Sequence, residues 1–236
     1  MFKDQFDKEE LRNFYSLEDR DTIRVRINFI SSADGAVTLK GRSGALGTKT
    51  DQALMKVLRA MADVVLVGAG TVRAEGYGGF GLKPEDVKWR REHGLSDEPR
   101  MAIVTNSADL DAEMSVFQKA KQPPLVITHS EADASHLTGV AEIIVAGTES
   151  VDATLAVNEL EKMGLPQILC EGGPHLFGSL LDAELAHEVC LTLAPMFVGG
   201  EADRISVSKI EEGRRYKLKN ALHDADSMLY LLYSKV

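Results

Sequence analysis

A short apolar segment that ends in an acidic residue and a glycine pair constrains the fold of this chain more than any other stretch. Residues 168–170 are typical of a buried strand, and Glu171, Gly172, Gly173 and Pro174 follow directly. Proline suits the first turn of a helix, because its ring fixes φ and its missing N–H is not needed there. Glycines let a ligand approach the backbone closely, and helix N-termini attract anions. The segment predicts a strand–turn–helix unit with an anion site, or else a tight turn without a ligand.

Apolar and amphipathic segments alternate along most of the chain, which is the pattern of an α/β protein. The predicted strands are residues 24–31, 64–67, 101–105, 125–128, 143–146, 168–170, 189–193, 216–222 and 228–233. The predicted helices are 50–61, with Thr50 as its N-cap, 151–163 and 174–183. We therefore predict a mixed, mostly parallel sheet covered on both faces, with a C-terminal antiparallel hairpin.

Charge and cysteine content exclude several classes of function. A net charge of -9 over 236 residues argues against a nucleic-acid or anionic membrane partner. No apolar run is long enough to span a bilayer, and the N-terminus lacks the apolar core of a signal peptide. Cys170 and Cys190 lie in apolar runs without a Cys-x-x-Cys pair, which predicts buried free thiols and no metal site of that kind. We expect a cytoplasmic protein.

Two regions depart from the alternating pattern. Residues 1–22 mix charged and apolar side chains, and we predict a helical arm outside the main sheet, followed by one domain over residues 23–236. Residues 76–99 are rich in glycine and charge, and we predict a long irregular connection there. Such connections are often functional loops, although a solvated excursion fits the composition equally well.

Three polar segments carry possible chemistry. Asp34 follows the first strand before a glycine, so it can bind a polar substrate or move a proton, or it can simply form a turn. Residues 41–50 are rich in glycine, serine and threonine and lead into a helix, which fits a phosphate site or a flexible loop with a helix cap. Gly68, Gly70 and Thr71 follow a buried strand. This Gly-x-Gly pair lacks the third glycine of a Rossmann motif and the acidic residue at the next strand end.

Together these segments resemble a known family over roughly residues 24–235. The chain is similar to the reductase domain of riboflavin biosynthesis, the C-terminal half of bifunctional pyrimidine deaminase/reductases. The matching motifs, in the family's order and spacing, are Asn28 with Ser32-Ala33-Asp34-Gly35, Leu58-Arg59-Ala60, Ala62-Asp63, Gly68-Ala69-Gly70-Thr71-Val72, Glu171-Gly172-Gly173, and Leu193-Ala194-Pro195 with Gly199-Gly200. The resemblance implies a three-layer αβα fold like that of dihydrofolate reductase.

The resemblance also implies NADPH as the cofactor, lying across the carboxyl ends of the parallel strands. The residues that it assigns to the cofactor are Gly68, Gly70, Thr71, Thr105, Asn106, Ser107, Gly172, Gly173, Pro174, His175 and Leu176. The family receives the adenosine 2′-phosphate at positions 105–107. No arginine stands beside these positions in the sequence, so the preference for NADPH over NADH comes from the family alone.

The implied activity is that of an NADPH-dependent oxidoreductase, which reduces 5-amino-6-(5-phosphoribosylamino)uracil to the ribitylamino product. Hydride would pass to C1′ of an opened imine form, and Asp34 or Glu171 would supply the proton as the catalytic residue. The residues expected to bind this phosphorylated pyrimidine are Asn28, Ser32, Ser43, Thr48, Thr50 and Arg73. The family also implies a homodimer, with the apolar C-terminal strands as candidate interface elements.

Two departures from the family pattern leave alternatives open. An Asp-Asp-Pro run usually follows the Gly-x-Gly-Thr turn, and here Glu75, Gly76 and Tyr77 stand in its place. The zinc deaminase signature, His-x-Glu with Pro-Cys-x-x-Cys, is missing from the sequence. A paralogous reductase of dihydrofolate or another small imine or carbonyl therefore remains an alternative. A non-catalytic NADP(H)-binding protein is a second one.

Overall fold

A nine-stranded sheet forms the centre of the computed structural model, which describes residues 6–17 and 19–236. The strands are β1 (Arg24–Ser32), β2 (Val64–Gly68), β3 (Arg100–Val104), β4 (Leu125–Thr128), β5 (Glu142–Val145), β6 (Gln167–Cys170), β7 (Glu188–Ala194), β8 (Tyr216–His223) and β9 (Leu229–Lys235). Their order is β5-β4-β3-β2-β6-β1-β7-β9-β8. The first seven are parallel, and β9 runs antiparallel to β7 and β8. This confirms the predicted mixed sheet and its C-terminal hairpin.

Helices cover both faces of the sheet. They are α1 (Lys8–Phe14), α2 (Lys49–Met61), α3 (Ala69–Glu75), α4 (Pro84–Glu92), α5 (Ser115–Gln118), α6 (Ala153–Lys162) and α7 (Pro174–Asp182). Side chains of β2 alternate between two cores, because successive strand residues point to opposite faces. Val65 and Val67 join the core beneath α1 and α2, whereas Val64 and Leu66 join the core beneath α6 and α7. The chain is therefore a three-layer αβα structure.

The two cysteines lie on opposite faces of the sheet. Cys170 belongs to the core beneath α7, and Cys190 to the core beneath α2. Both are free and fully buried, as predicted. Burial raises the pKa of each thiol to about 12.

Helix α2 begins earlier than the sequence indicated. Thr48 has an extended backbone and its side chain accepts a hydrogen bond from the Asp51 N–H, so it is the N-cap. The prediction of Thr50 in that role is wrong, because Thr50 already lies in the first helical turn and is buried.

The predicted irregular connection over residues 76–99 contains a helix, so that prediction is wrong for its second half. Pro84 occupies the first turn of α4. The side chain of Arg90 is fully buried and donates to the carbonyl oxygens of Ala60 at 3.0 Å and Ala62 at 2.6 Å. Arg90 takes the place of solvent as the hydrogen-bond donor to the carbonyl groups at the carboxyl end of α2. A charge-rich segment therefore packs as part of the core.

Helix α1 packs against α2 and contributes to the core. Leu11 and Tyr15 are fully buried. Lys8 and Arg12 reach the buried carboxylate of Asp86 on α4, with N–O distances of 2.6 and 2.7 Å. The predicted boundary at residues 22 and 23 stays a prediction, and residues 1–5 and 18 lie outside the described part. Within the described ranges, every helix is too short or too polar to cross a bilayer.

Candidate active site

Two cavities lie side by side at the carboxyl ends of the parallel strands, the edge at which open α/β sheets bind ligands. The α2 cavity, of about 490 Å³, lies between α2, the carboxyl-terminal half of β1 and the turn after β6. The β3 cavity, of about 440 Å³, lies between the ends of β2 and β3 and helices α6 and α7. Thr71, Gly173 and Pro174 line both. Molecules bound in the two cavities would therefore meet at this shared wall.

The β3 cavity collects ten of the eleven residues that the family resemblance assigned to the cofactor. They are Gly68, Gly70, Thr71, Thr105, Asn106, Ser107, Gly173, Pro174, His175 and Leu176. The remaining one, Gly172, lines the α2 cavity. None of the described residues that line the β3 cavity carries a carboxylate, and Arg73 adds a cation. This surface suits an anionic ligand.

The turns after β2 and β6 touch each other at the shared wall. The Gly68 N–H donates to the Gly172 carbonyl at 2.7 Å, and the Gly172–Gly173 peptide is cis. A Cβ on Gly173 would lie 2.8 Å from the Thr71 hydroxyl oxygen, and a Cβ on Gly68 would lie 3.3 Å from the Gly173 nitrogen. Glycine is therefore required here for close packing of the two turns.

The loop after β3 is held by the backbone at Val151 and by a buried histidine. The Val151 N–H donates to the Asn106 Oδ1 at 2.8 Å. His129 places Nε2 2.7 Å from the Asn106 carbonyl and Nδ1 2.9 Å from the Thr148 carbonyl. The amide oxygen of Asn106 thus shapes the cavity wall. The hydroxyls of Thr105 and Ser107 accept from the N–H groups of Ala108 and Asp109, so each can still donate to a ligand.

A buried ion pair lies in the α2 cavity. Arg59 donates from Nε and Nη2 to the two oxygens of Glu171, at 2.6 and 2.7 Å, and the Tyr77 hydroxyl donates to the same carboxylate at 2.8 Å. The Glu171 side chain is only 3% exposed. Burial raises the pKa of Tyr77 well above its usual value, and the charge of Glu171 adds to this. Burial lowers the pKa of Arg59, but its bonds to Glu171 outweigh this and the net shift is upward.

This cluster brings together residues that sequence reasoning did not connect. Arg59 supported the family resemblance without being assigned to the site, and Tyr77 was noted only as a replacement for the family's proline. Glu171 is a paired carboxylate, and its predicted role of proton donor stays a prediction. Lys56 on α2 also lines the cavity and forms no ion pair with a described residue. Lys56 and Arg59 are three residues apart on a predicted helix, and this spacing was the sequence signal that both side chains lie on one face.

Asp34 lines neither cavity. Its carboxylate accepts hydrogen bonds from the Ser32 hydroxyl and from the N–H groups of Val198, at 3.0 Å, and Gly199, at 2.7 Å. These donors, Ser32 first, lower the pKa of Asp34 to about 2. Ser32 is itself buried and accepts from the Ala36 N–H. The polar atoms of this pair thus join the turn after β1 to the loop after β7, and their predicted catalytic and substrate roles stay predictions.

This geometry predicts the acid stability of the chain. The pKa of Asp34 is lower in the folded chain than in the unfolded one, so its stabilising contribution is complete above about pH 4 and disappears as the pH falls toward 2. Asp34→Asn should therefore unfold with a shallower pH dependence between pH 4 and 2, as measured by circular dichroism. Asp226→Asn removes an exposed carboxylate and should follow the parent chain. Identical acid curves for parent and Asp34→Asn would contradict this assignment.

The other predicted substrate residues divide between the two cavities and the core. Asn28 and Ser43 line the α2 cavity, and the Ser43 N–H and hydroxyl donate to Glu75 at 3.0 and 2.8 Å. Thr48 caps α2 and Thr50 is buried. These two residues line neither cavity, and their predicted contact with a substrate phosphate stays a prediction.

Arg73 occupies a different place from the predicted one. It lines the β3 cavity rather than the α2 cavity. Its Nη1 donates to the carbonyl oxygen of Asp109 at 2.7 Å, and the Asp109 N–H donates to the Ser107 hydroxyl. The guanidinium is thereby anchored beside the loop after β3. Arg73 on α3 therefore supplies the cation that the sequence around residues 105–107 lacks.

Solved structures of related fold match almost the whole chain. A pyrimidine reductase-like protein from Corynebacterium diphtheriae has a TM-score of 0.86 at 26% identity, and the match covers 96% of this chain and 98% of that one. The riboflavin biosynthesis reductase of Saccharomyces cerevisiae has a TM-score of 0.69 at 19% identity, with 95% of both chains covered. The chain is therefore a dihydrofolate-reductase-like α/β protein, as predicted.

Sequence comparison narrows this class to one family. The RibD C-terminal domain model matches residues 24–230, and the chain belongs to that family, the reductase domain family of riboflavin biosynthesis. The 2,5-diamino-6-ribosylamino-4(3H)-pyrimidinone 5′-phosphate reductase of Methanothermobacter thermautotrophicus is 28% identical over 206 residues, covering 84% of this chain and 91% of the relative. The RibD protein of Aquifex aeolicus is 24% identical, and the match covers 90% of this chain and 59% of that protein.

Proposed function

We propose that this protein is an NADPH-dependent reductase of riboflavin biosynthesis, which converts a phosphoribosylamino-pyrimidine into its ribitylamino product. The observation that carries the proposal is the shared wall of Thr71, Gly173 and Pro174 between the two cavities. A nicotinamide bound from one side and a sugar carbon bound from the other would be held in contact there. Such alignment removes much of the barrier to hydride transfer.

The β3 cavity fits a dinucleotide phosphate. The described residues of its walls include no carboxylate, its glycine turns leave the backbone open, and α7 begins at Pro174 with free N–H groups that favour a pyrophosphate. Arg73, anchored beside Ser107, supplies a cation for the 2′-phosphate and supports NADPH over NADH. The bound cofactor would supply the hydride, and the chain would orient it and exclude water.

The α2 cavity fits a phosphorylated, polar substrate. Asn28 offers an amide to a pyrimidine edge, and Lys56 offers a cation to the sugar phosphate. The Arg59–Glu171–Tyr77 cluster would fix the wall nearest the hydride donor. Tyr77 extends this wall where the family has its Asp-Asp-Pro run, so the substrate is held by a different set of groups on this side.

Turnover with defined substrates tests the proposal. NADPH oxidation would be followed at 340 nm with 5-amino-6-(5-phosphoribosylamino)uracil, with the 2,5-diamino-pyrimidinone analogue named for the archaeal relative, and with dihydrofolate, each against NADH. Turnover of either pyrimidine supports the proposal and shows whether a 2-oxo or 2-amino group is preferred. Turnover of dihydrofolate alone would favour the paralogous reductase. NADPH binding without turnover of any of the three would favour a non-catalytic protein.

Filling the shared wall should weaken cofactor binding. In Gly173→Ala, the new methyl group would lie 2.8 Å from the Thr71 hydroxyl oxygen, at the point where the two turns meet. We expect the dissociation constant for NADPH, measured by fluorescence titration, to rise about tenfold or more, the equivalent of about 1.4 kcal/mol. Gly213→Ala is the matched control, because a Cβ there meets nothing within 4 Å. Equal affinities of the two variants for NADPH would show that the shared wall is not part of the cofactor site.

We also propose a cytoplasmic homodimer. Several apolar side chains are exposed around the C-terminal hairpin, and a second copy would cover them. They are Met196, Phe197, Leu218, Leu229 and Val236. Light scattering at micromolar concentration should give twice the chain mass, and Phe197→Glu should shift it toward the monomer.

A further inference from the structure

We infer that His129 is a buried imidazolium that positions and polarises the loop after β3 for the 2′-phosphate of NADPH. The inference rests on the proposed function, because it assigns a positioning residue to the β3 cavity. It comes from the two acceptors that the His129 ring meets, and from a free backbone donor on the far side of one of them.

Both ring nitrogens of His129 face oxygen atoms that can only accept. Nε2 lies 2.7 Å from the carbonyl oxygen of Asn106, and Nδ1 lies 2.9 Å from that of Thr148. A neutral imidazole carries one N–H and one bare nitrogen, whereas an imidazolium donates from both nitrogens. In a neutral ring, the lone pair of the bare nitrogen would face a carbonyl oxygen at hydrogen-bond distance. The geometry therefore fits the doubly protonated, positively charged ring.

This positive charge is buried without a counter-ion. His129 is 8% exposed, and no described carboxylate lies within ion-pair distance of it. Its two bonds to carbonyl oxygens are charge-assisted, and such bonds are stronger than neutral ones and offset the loss of hydration. Because the charge is not neutralised locally, it favours an anion in the neighbouring cavity.

The other charged groups near His129 are exposed. Three loops surround the ring, over residues 105–114 after β3, 129–141 after β4 and 146–152 after β5. Their acidic side chains are Asp109, Asp111, Glu113, Glu131, Asp133, Glu149 and Asp152, all exposed to solvent. Arg73 reaches this region from α3, and His136 places Nε2 3.0 Å from the Leu110 carbonyl. Solvent screens exposed charges, so the buried ring is the least screened charge among these groups.

The bond to Asn106 acts on a backbone donor of the cavity. The peptide between Asn106 and Ser107 is trans, so its C=O and N–H groups point in opposite directions. His129 holds the C=O, and the N–H of Ser107 therefore points away from the histidine. No described residue accepts a hydrogen bond from this N–H, and Ser107 lines the β3 cavity. The imidazolium polarises the peptide and strengthens this free donor toward an anion.

The same ring joins two walls of the β3 cavity. The Thr148 carbonyl belongs to the loop after β5, which continues to Val151 on the cavity wall. Val151 in turn donates its N–H to the Asn106 side chain at 2.8 Å. The N–H and hydroxyl of Ser107 and the guanidinium of Arg73 are thereby grouped at one end of the cavity. A 2′-phosphate can use all three donors, whereas NADH lacks that phosphate and gains little from the charge on His129.

Binding measurements over a range of pH test the inference. The dissociation constants for NADPH and NADH would be measured by fluorescence titration from about pH 6 to 9, which covers the loss of a histidine proton. The 2′-phosphate also changes its charge near the lower end of this range. The parent is therefore compared at each pH with His129→Gln, which keeps a hydrogen-bond donor without the charge.

At the lower end of the range, the parent should bind NADPH about tenfold more tightly than His129→Gln, as expected for a hydrogen bond to a charged group. This advantage should disappear together with the second ring proton, and NADH should show little of it. His93→Gln, at an exposed position on α4, is the matched control and should bind both cofactors like the parent at every pH. Equal NADPH affinities of the parent and His129→Gln, or an equal advantage for NADH, would overturn the inference.

A measurement on the parent protein without cofactor separates this inference from the proposed function. Nitrogen NMR of the histidine side chains, assigned by through-bond correlation to the backbone, counts the ring N–H groups of His129 and needs no variant that might not fold. Two ring N–H groups at about pH 6, one of them lost at higher pH, support the inference. A single ring N–H at every pH overturns it, even if NADPH binds and is oxidised. Two ring N–H groups in a protein that binds neither cofactor contradict the proposed function, and the role of His129 at a 2′-phosphate fails with it.

Discussion

Arg59→Leu should be among the most damaging single changes in this chain. It leaves the Glu171 carboxylate buried, at 3% exposure, without its cation. Removal of one partner of a buried ion pair typically costs about 3–5 kcal/mol. For a chain of this size, each 1 kcal/mol lowers the melting temperature by about 2–4 °C. Calorimetry should therefore show a melting temperature lower by roughly 6–20 °C.

The same change should abolish most of the activity. Tyr77 and Glu171 would lose the guanidinium that orients both, and a displacement of about 1 Å at a reaction site can reduce the rate about a hundredfold. The double variant Arg59→Leu/Glu171→Leu should recover stability, because no unpaired charge remains, but it should not recover turnover. A single variant as stable as the parent would contradict the role given to this ion pair.

Removal of residues 1–17 should prevent stable folding. Helix α1 buries Leu11 and Tyr15 against α2, and its deletion would expose the apolar surface beneath them. Deletion would also remove Lys8 and Arg12, the two cations that neutralise the buried Asp86. An uncompensated buried carboxylate and an exposed core would then destabilise the chain together.

A single substitution measures the apolar contribution by itself. Leu11→Ala should lower the free energy of unfolding by about 2–5 kcal/mol, the usual range for a buried leucine. Glu9→Ala, at an exposed position on the same helix, is the control and should change it by less than about 0.5 kcal/mol. Both would be measured by urea denaturation. A stable, cooperatively folding truncated chain would show that α1 is an arm, as the sequence suggested.

The sheet was predictable because its signals are local. Strands such as β2 and β4 are short apolar runs, since both of their faces are buried, and Gly164 with Pro166 marks the end of α6. The cofactor cavity was predictable for the same reason, because its residues follow directly after strand ends. Helix α4 was missed because Arg90, its most buried residue, is charged, and sequence patterns treat charge as exposed.

The substrate side was less predictable, because its contacts join distant parts of the chain. Arg59 and Glu171 are 112 residues apart, and Asp34 bonds to backbone groups 164 and 165 residues away. Two aspartates that look alike in sequence thus have opposite surroundings. Asp34 is surrounded by N–H donors that stabilise its charge, whereas Asp51 is half-buried, with no cation within ion-pair distance among the described residues.

The two cysteines have a practical consequence for labelling. The sheet separates Cys170 from Cys190, and burial raises the pKa of both to about 12, so neither supplies an accessible thiolate at neutral pH. A cysteine introduced at the exposed Ser227 would then be the one thiol open to a maleimide dye. Fluorescent probes can therefore be attached site-specifically to this protein without first replacing its native cysteines.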